Sequence, residues 1–190
     1  MIKTKEQLKK CLEKEKNIYT PKTFKGKIEF LITSDFRPKV YKLIKSLRKQ
    51  EYHHNNSGTV HKICYMYFRR KSNLLGQKLG IEVWDNTFDE GLTIYHPGNI
   101  VVNGNCKIGK NLKLHGSNCI GNSGLDLAAP TIGDNVRLGA GAIVIGDVFI
   151  ADDVTIAAGA VVVKSCYEKG ALLAGVPASI VRHGRTDSLH

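Results

Sequence analysis

Between Thr131 and Val162 the chain reads TIGDNVRLGAGAIVIGDVFIADDVTIAAGAVV, and an aliphatic side chain returns every sixth residue, at Ile132, Leu138, Val144, Ile150, Ile156 and Val162. Neither a helix, with its period near 3.6, nor a half-buried strand, with its period of 2, produces that step. Four residues after the first five of these stand Val136, Ala142, Val148, Val154 and Ala160, all small or branched. The register extends upstream through Val102, Ile108, Leu114 and Ile120, with Cys106 and Leu112 in the fourth slot, and survives a double-length gap between Ile120 and Ile132. Three short strands joined by tight corners satisfy it: each triangular coil takes about eighteen residues and sends one aliphatic side chain per side to the axis. Gly, Asn and Asp in GDN, GD and ADD supply the corners. Each inward side chain contributes roughly 1.5–3 kcal/mol on burial, so a single coil cannot stand alone and several must stack. The pattern predicts a mainly β chain whose residues 80–182 form a parallel β-helix.

Residues 1–79 differ in kind. TKEQLKKCLEKEKNIY opens with Thr4 three residues before Gln7, a capping-box spacing, and then places Leu8, Cys11 and Leu12 on one face. DFRPKVYKLIKSLRKQEY sets Val40, Leu43, Ile44 and Leu47 in an amphipathic stripe. HHNNSG at 53–58 reads as a polar loop, and VHKICYMYFRRKSNLL as a third helix whose aromatic residues serve packing. His53, His54 and His61 read as loop and surface residues with no metal-site spacing. The expected organisation is therefore a small α-helical region (1–79), the β-helix (80–182) and a tail (183–190). Charge follows the same division: 20 basic against 6 acidic residues over 1–80, but 8 against 11 over 81–190. The basic half reads either as a solvated helical surface, its Lys and Arg interleaved with Glu, or as a surface that attracts anionic glycans, acidic lipid or nucleic acid, and no nucleic-acid motif accompanies it. No segment is apolar enough for a membrane span, the start lacks a secretory leader, and five scattered cysteines fit free thiols in a cytoplasmic setting.

From Gly80 to Arg182 the chain resembles the hexapeptide-repeat acyltransferases, and within them the serine acetyltransferases and the O-acetyltransferases of capsule and exopolysaccharide synthesis. GLTIYHPGNIVVN (91–103), LHGSNCIGNSGLDLAAPTIG (114–133), LGAGAIVIGD (138–147) and LLAGVPASIV (172–181) carry the resemblance. It implies a left-handed coil, the opposite of the general crossover rule, a homotrimer with active sites between subunits, acetyl-CoA as donor, and no metal. His96 in YHPG matches the catalytic histidine of that group. A neutral imidazole suits removal of a proton from an acceptor hydroxyl during attack on a thioester, although the hexad register, run back from Val102, puts His96 in an inward slot. A histidine base needs a partner to fix its tautomer. Glu82 in GIEV resembles the segment that supplies it in the polysaccharide enzymes, with Asp85, Asp89 and Glu90 as rivals.

His115, nineteen residues after His96, falls one coil on and reads either as a residue of the same cleft, where it binds the acceptor or polarises the thioester carbonyl, or as a stacked structural histidine. The loop GNSGLDLAAP (121–130) breaks the hexads and reads as a flap, with Asn122 and Asp126 for the acceptor. Ala140 and Ala158 match the positions where the pantetheine arm approaches the main chain, and Lys164 and Arg182 would meet the anionic nucleotide end. Serine acetyltransferases carry His-Pro where this chain has Ala129-Pro130. That departure favours a sugar hydroxyl in a surface-polysaccharide pathway over serine as acceptor. Three other readings stay open: serine O-acetylation, a β-helix that only binds a ligand or partner, and a zinc carbonic anhydrase of the same fold.

Overall fold

A computed structural model describes residues 1–184. Four helices, α1 (Lys5–Tyr19), α2 (Phe24–Ile32), α3 (Arg37–His54) and α4 (Thr59–Leu79), precede fourteen short strands, β1 (Ile81–Glu82) to β14 (Ala178–Arg182). The strands form a left-handed parallel β-helix. Its three faces are face A (β1-β3-β6-β9-β12), face B (β4-β7-β10) and face C (β2-β5-β8-β11-β13, closed by β14). Among the described strands only β14 runs antiparallel, folding back on β13.

The hexad residues point inward as expected: Ile94, Leu114, Leu138 and Ile156 on face C, Val102, Ile120, Val144 and Val162 on face A, and Ile108, Ile132 and Ile150 on face B are all buried. Regular coils repeat at eighteen residues, as Cα partners Ile143 and Val161 show. At the corner between faces B and C, Asn111, Asn135 and Asp153 share a φ of 60°, a conformation that Asn and Asp tolerate best among non-glycine residues. Stacking then lets each side chain hold the next: Asn111 Nδ2 donates to Asn135 Oδ1 (2.8 Å) and Asn135 Nδ2 to Asp153 Oδ1 (2.9 Å).

The helical half covers the open first coil. Tyr19, Val40, Leu43 and Ile44 join one apolar cluster with the inward residues of the coils. The Tyr19 hydroxyl donates to the Leu92 carbonyl (3.1 Å) and accepts from the Ile94 amide (2.7 Å), so backbone groups that lack a preceding coil are still paired. Arg48, fully buried, donates to Glu15, Glu51 and the carbonyls of Phe88 and Asp89. It thereby ties α1 and α3 to the coil.

The Thr4–Gln7 capping box is present. Two expectations for the helices need correction. His53 and His54 form the last turn of α3, and the loop shrinks to Asn55–Gly58. An additional helix, α2, lies between the first two expected ones and buries none of its residues. Phe24, Leu31 and Ile32 on it are 77–80% exposed. Val60, Ile63, Met66 and Tyr67 on α4 also face solvent instead of the core. All five cysteines are free thiols. No helix among the described residues is long and apolar enough to cross a membrane.

Candidate active site

The corner from face C to face A carries four of the nine expected residues: His96, His115, Ala140 and Ala158. Ser117 donates its amide to the Gly98 carbonyl (3.2 Å), Gly141 to Gly116 (2.9 Å) and Gly159 to Ala140 (2.9 Å), so the corners at 95–99, 115–118, 139–142 and 157–160 stack into one edge. His96 stands at the lower end of that edge, His115 on the next coil, and Ala140 and Ala158 above them.

His96 is exposed, not inward. The reason is a longer first coil: Thr93 and Ile94 pair with Lys113 and Leu114, twenty residues on, whereas Val101 pairs with Cys119, eighteen on. The two additional residues fall in the corner and swing His96 out while Ile94 and Ile100 keep the axis filled. Gly98 and Gly116 there have φ of 109° and 115°. A Cβ on Gly116 would lie 3.2 Å from the His96 carbonyl oxygen and 3.3 Å from its Cβ, so a residue without a side chain is what lets the two corners close up. The ring of Phe36, at the start of α3, lies 6.2 Å from that of His96. No hydrogen bond orients the His96 ring among the described residues.

His115 stacks on Tyr95 with ring centroids 4.5 Å apart and planes 29° apart. Its Nε2 is buried without a partner. Burial first, then the positive neighbours Arg137, His96 and Lys113, hold its pKa below the ordinary 6.5, which favours the neutral ring. Asn118, fully buried, staples this corner: its Oδ1 accepts from the Gly116 amide (3.0 Å) and its Nδ2 donates to the carbonyls of Gly139 (2.7 Å) and Ala142 (3.2 Å). Asn118 occupies the fourth slot after Leu114, where the repeat otherwise places small apolar residues, so the signal was a polar residue in an apolar register.

The other expected residues lie elsewhere on the chain. Glu82, exposed on β1, lines a groove with Trp84 and Val101 between α4 and face A, and it makes no hydrogen bond with His96. Of its rivals, Asp85 pairs with Gln50 and His54, and Glu90 with Lys14. The flap leaves the edge between faces A and B and lengthens its coil to twenty-four residues, as the pairing of Cys119 with Ile143 records. Within it Asn122 Nδ2 donates to the Asp126 carbonyl (2.8 Å) and Asp126 Oδ1 accepts from the Ala128 amide (3.0 Å), so both side chains shape the loop. Lys164 lies on the same A–B edge, between β12 and Cys166, which bridges to face B. Arg182 pairs with Leu172 on face C. One chain thus divides the expected set between two edges: His96, His115, Ala140 and Ala158 on one, Asn122, Asp126 and Lys164 on the other. Residues 185–190 of the expected tail lie outside the described residues. Among those described, no group of three or more His, Cys, Asp or Glu gathers as a metal site.

Residues 129–164 match the family model described as bacterial transferase hexapeptide (six repeats). A putative colanic acid biosynthesis acetyltransferase, WcaB, of Escherichia coli K12 is 38% identical over 63 residues, 33% of this chain. The match spans only 39% of that relative's length. Among solved structures, the serine acetyltransferase of Neisseria gonorrhoeae in complex with serine superimposes with a TM-score of 0.72 and 25% identity, over 94% of this chain and 70% of that one. The serine acetyltransferase of Brucella abortus in complex with coenzyme A gives 0.67 and 22%, over 95% and 68%.

Proposed function

We propose that this hexapeptide-repeat protein is an acetyl-CoA-dependent O-acetyltransferase that modifies a sugar hydroxyl, in the kind of surface-polysaccharide synthesis that the WcaB likeness names. The observation that carries the reading is the bare edge running from His96 to Ala158. Ala140 and Ala158 are exposed beside Gly141 and Gly159, so a pantetheine arm can lie against main chain along it and end at His96 and His115. The thioester supplies an activated acetyl carbonyl. His96 takes the acceptor's hydroxyl proton as the new C–O bond forms, and returns it to the departing thiolate as the C–S bond breaks. His115, which burial and its cationic neighbours hold toward the neutral form, stands one coil above; its Nε2, buried and unpaired in the single chain, would meet the acceptor or the carbonyl oxygen once the ring turns outward.

The divided site supports assembly as a homotrimer. Face A presents an outward row, Val101, Cys119, Ile143 and Val161, in register, where face C presents Thr93, Lys113, Arg137 and Thr155. Packing through face A would bring the A–B edge of one copy, with Asn122, Asp126 and Lys164, toward the C–A edge of the next. Arg182 and Lys164 are then candidates for the anionic end of the donor. Glu82 is kept as the partner of His96 only if that ring turns toward the groove along face A. The basic helical half favours an anionic glycan or the acidic inner face of a membrane as its neighbour, with a cytoplasmic location.

The structural likeness to serine-bound serine acetyltransferase keeps serine as a second acceptor, but Ala129 stands where the resemblance leads one to expect a histidine that helps hold the amino acid. Labelled acetyl-CoA, oligosaccharide acceptors and L-serine in parallel separate the two. His96→Ala should retain the fold and lose transfer by about 10²-fold or more. Near-wild-type turnover in that variant would reject the assignment.

A further inference from the structure

Beside His96 stand two aromatic rings that the transfer chemistry does not use. Tyr95 is fixed by its backbone, whose amide donates to the Leu114 carbonyl at 2.8 Å, and by its stacking on His115. It nevertheless remains 40% exposed, so one face is braced by the imidazole and another part meets solvent. Phe36, supplied by the helical half, stands beside His96, its ring centroid 6.2 Å away and tilted by 44°. The donor edge runs from His96 toward the C-terminal coils. The acceptor has to approach from the remaining side, where the helical half and these two rings are.

The geometry points to a pyranose-binding subsite built from Tyr95 and Phe36, with Tyr95 as the platform on which the acceptor sugar rests its apolar C–H face. The inference rests on the transferase reading and deepens it by naming what the acceptor must offer. Aromatic rings offer a large, flat apolar surface, and a pyranose has a complementary apolar C–H face. A ring held against a stacked partner gives up little freedom on binding. His115, one coil above, backs the Tyr95 ring and so fixes the platform. L-serine has no apolar face of this size and would gain nothing from Tyr95. No histidine on the flap is required for such an acceptor, in keeping with Ala129.

The test compares wild type, Tyr95→Phe, Tyr95→Ala and Phe36→Ala with a panel of methyl glycosides, by transfer from labelled acetyl-CoA and by saturation-transfer NMR of the glycosides alone. Tyr95→Phe should retain wild-type KM for the glycoside. Tyr95→Ala should raise it by roughly ten-fold, about 1.4 kcal/mol, with the KM for acetyl-CoA unchanged and the thermal transition intact. Equal glycoside KM in wild type and Tyr95→Ala, or a parallel rise for acetyl-CoA, overturns the platform. Transfer to L-serine but to no glycoside overturns both the platform and the sugar reading. Absence of all acetyl transfer by wild type rejects the transferase reading; NMR contact with a glycoside that Tyr95→Ala abolishes would then still support the subsite, and no such contact would reject it too.

Discussion

Arg48→Met probes how the helical half is held to the coils. The guanidinium donates to Glu15 Oε1 at 3.0 and 2.7 Å, to Glu51 Oε2 at 3.1 Å, and to the carbonyls of Phe88 and Asp89 at 2.7 and 2.6 Å. Arg48, Glu15 and Glu51 are 2%, 0% and 1% exposed. Methionine fills much of the volume but leaves two carboxylates in an apolar setting. Glu51 keeps the Ile2 amide at 2.8 Å; Glu15, whose Oε2 already lacks a partner, keeps only the Gly91 amide at 3.4 Å. Removing one member of such a group costs about 3–5 kcal/mol, and the partial satisfaction of Glu51 argues for the lower part of that range. Against a total stability of about 5–15 kcal/mol, the variant should unfold at a visibly lower urea concentration. With a slope of about 1–3 kcal/mol/M, the midpoint should fall by about 1–3 M, followed at fixed protein concentration through Trp84 fluorescence and helical circular dichroism. Arg48→Met with Glu15→Leu and Glu51→Gln removes the stranded charges and should recover most of the loss. A cost below about 1 kcal/mol for the single variant, or a triple variant less stable than the single, would refute the argument that this group clamps the two halves.

Asn118→Ala strands the Gly116 amide and takes one of two donors from the carbonyls of Gly139 and Ala142, which keep the amides of Ala142 and Cys119; the expected loss is about 1–3 kcal/mol, measured by thermal unfolding, with transfer reduced even well below the transition because the corner holds His115. Stability should also depend on pH through His115 and His53, both of which the fold holds below the ordinary 6.5. The unfolded chain then binds more protons on the acid side, so stability is complete above about 6.5 and declines as pH falls from there toward the folded pKa values. His115→Gln should flatten part of that decline in urea titrations from pH 7.5 to 5, and an unchanged slope would count against a depressed His115.

The coils were legible because almost every inward slot from Ile100 to Val162 holds an aliphatic side chain, and few folds besides stacked triangular coils produce a six-residue period. The same register, run backward, puts His96 on the axis against its expected catalytic role, because it cannot detect the two additional residues in the corner that turn His96 outward. Asn118 escaped notice because it breaks the apolar pattern that made its neighbours conspicuous. The helix α2 lacks an amphipathic signal because its apolar residues Phe24, Leu31 and Ile32 are largely exposed rather than gathered on a buried face, and Gly26 lowers its helical propensity. Local chemistry was easier to read than location. The nineteen-residue spacing points to His96 and His115 as neighbours across coils, and the eighteen-residue coil separates Ala140 and Ala158, after Leu138 and Ile156, from Asn122 and Lys164, after Ile120 and Val162; what the linear pattern leaves out is which edges a second copy would bring together.

That division bears on how such a prism can work at all. A single edge of a β-helix is convex, and a convex edge shields no reaction from water. His96 with its exposed ring, and a donor arm lying on Ala140 and Ala158, would meet bulk solvent on one side, where a thioester can also be lost to hydrolysis. A second wall is needed, and the chain's own flap, rooted at Gly121 on the far side of face A, belongs to the wrong edge to supply it. Under threefold symmetry each copy offers its flap edge to one neighbour and its histidine edge to the other, so three equal clefts form from one kind of contact. On the proposed trimer, catalysis and assembly therefore depend on the same face, and the apolar row from Val101 to Val161 that would be an exposed liability on a monomer becomes the means by which each site acquires its second wall.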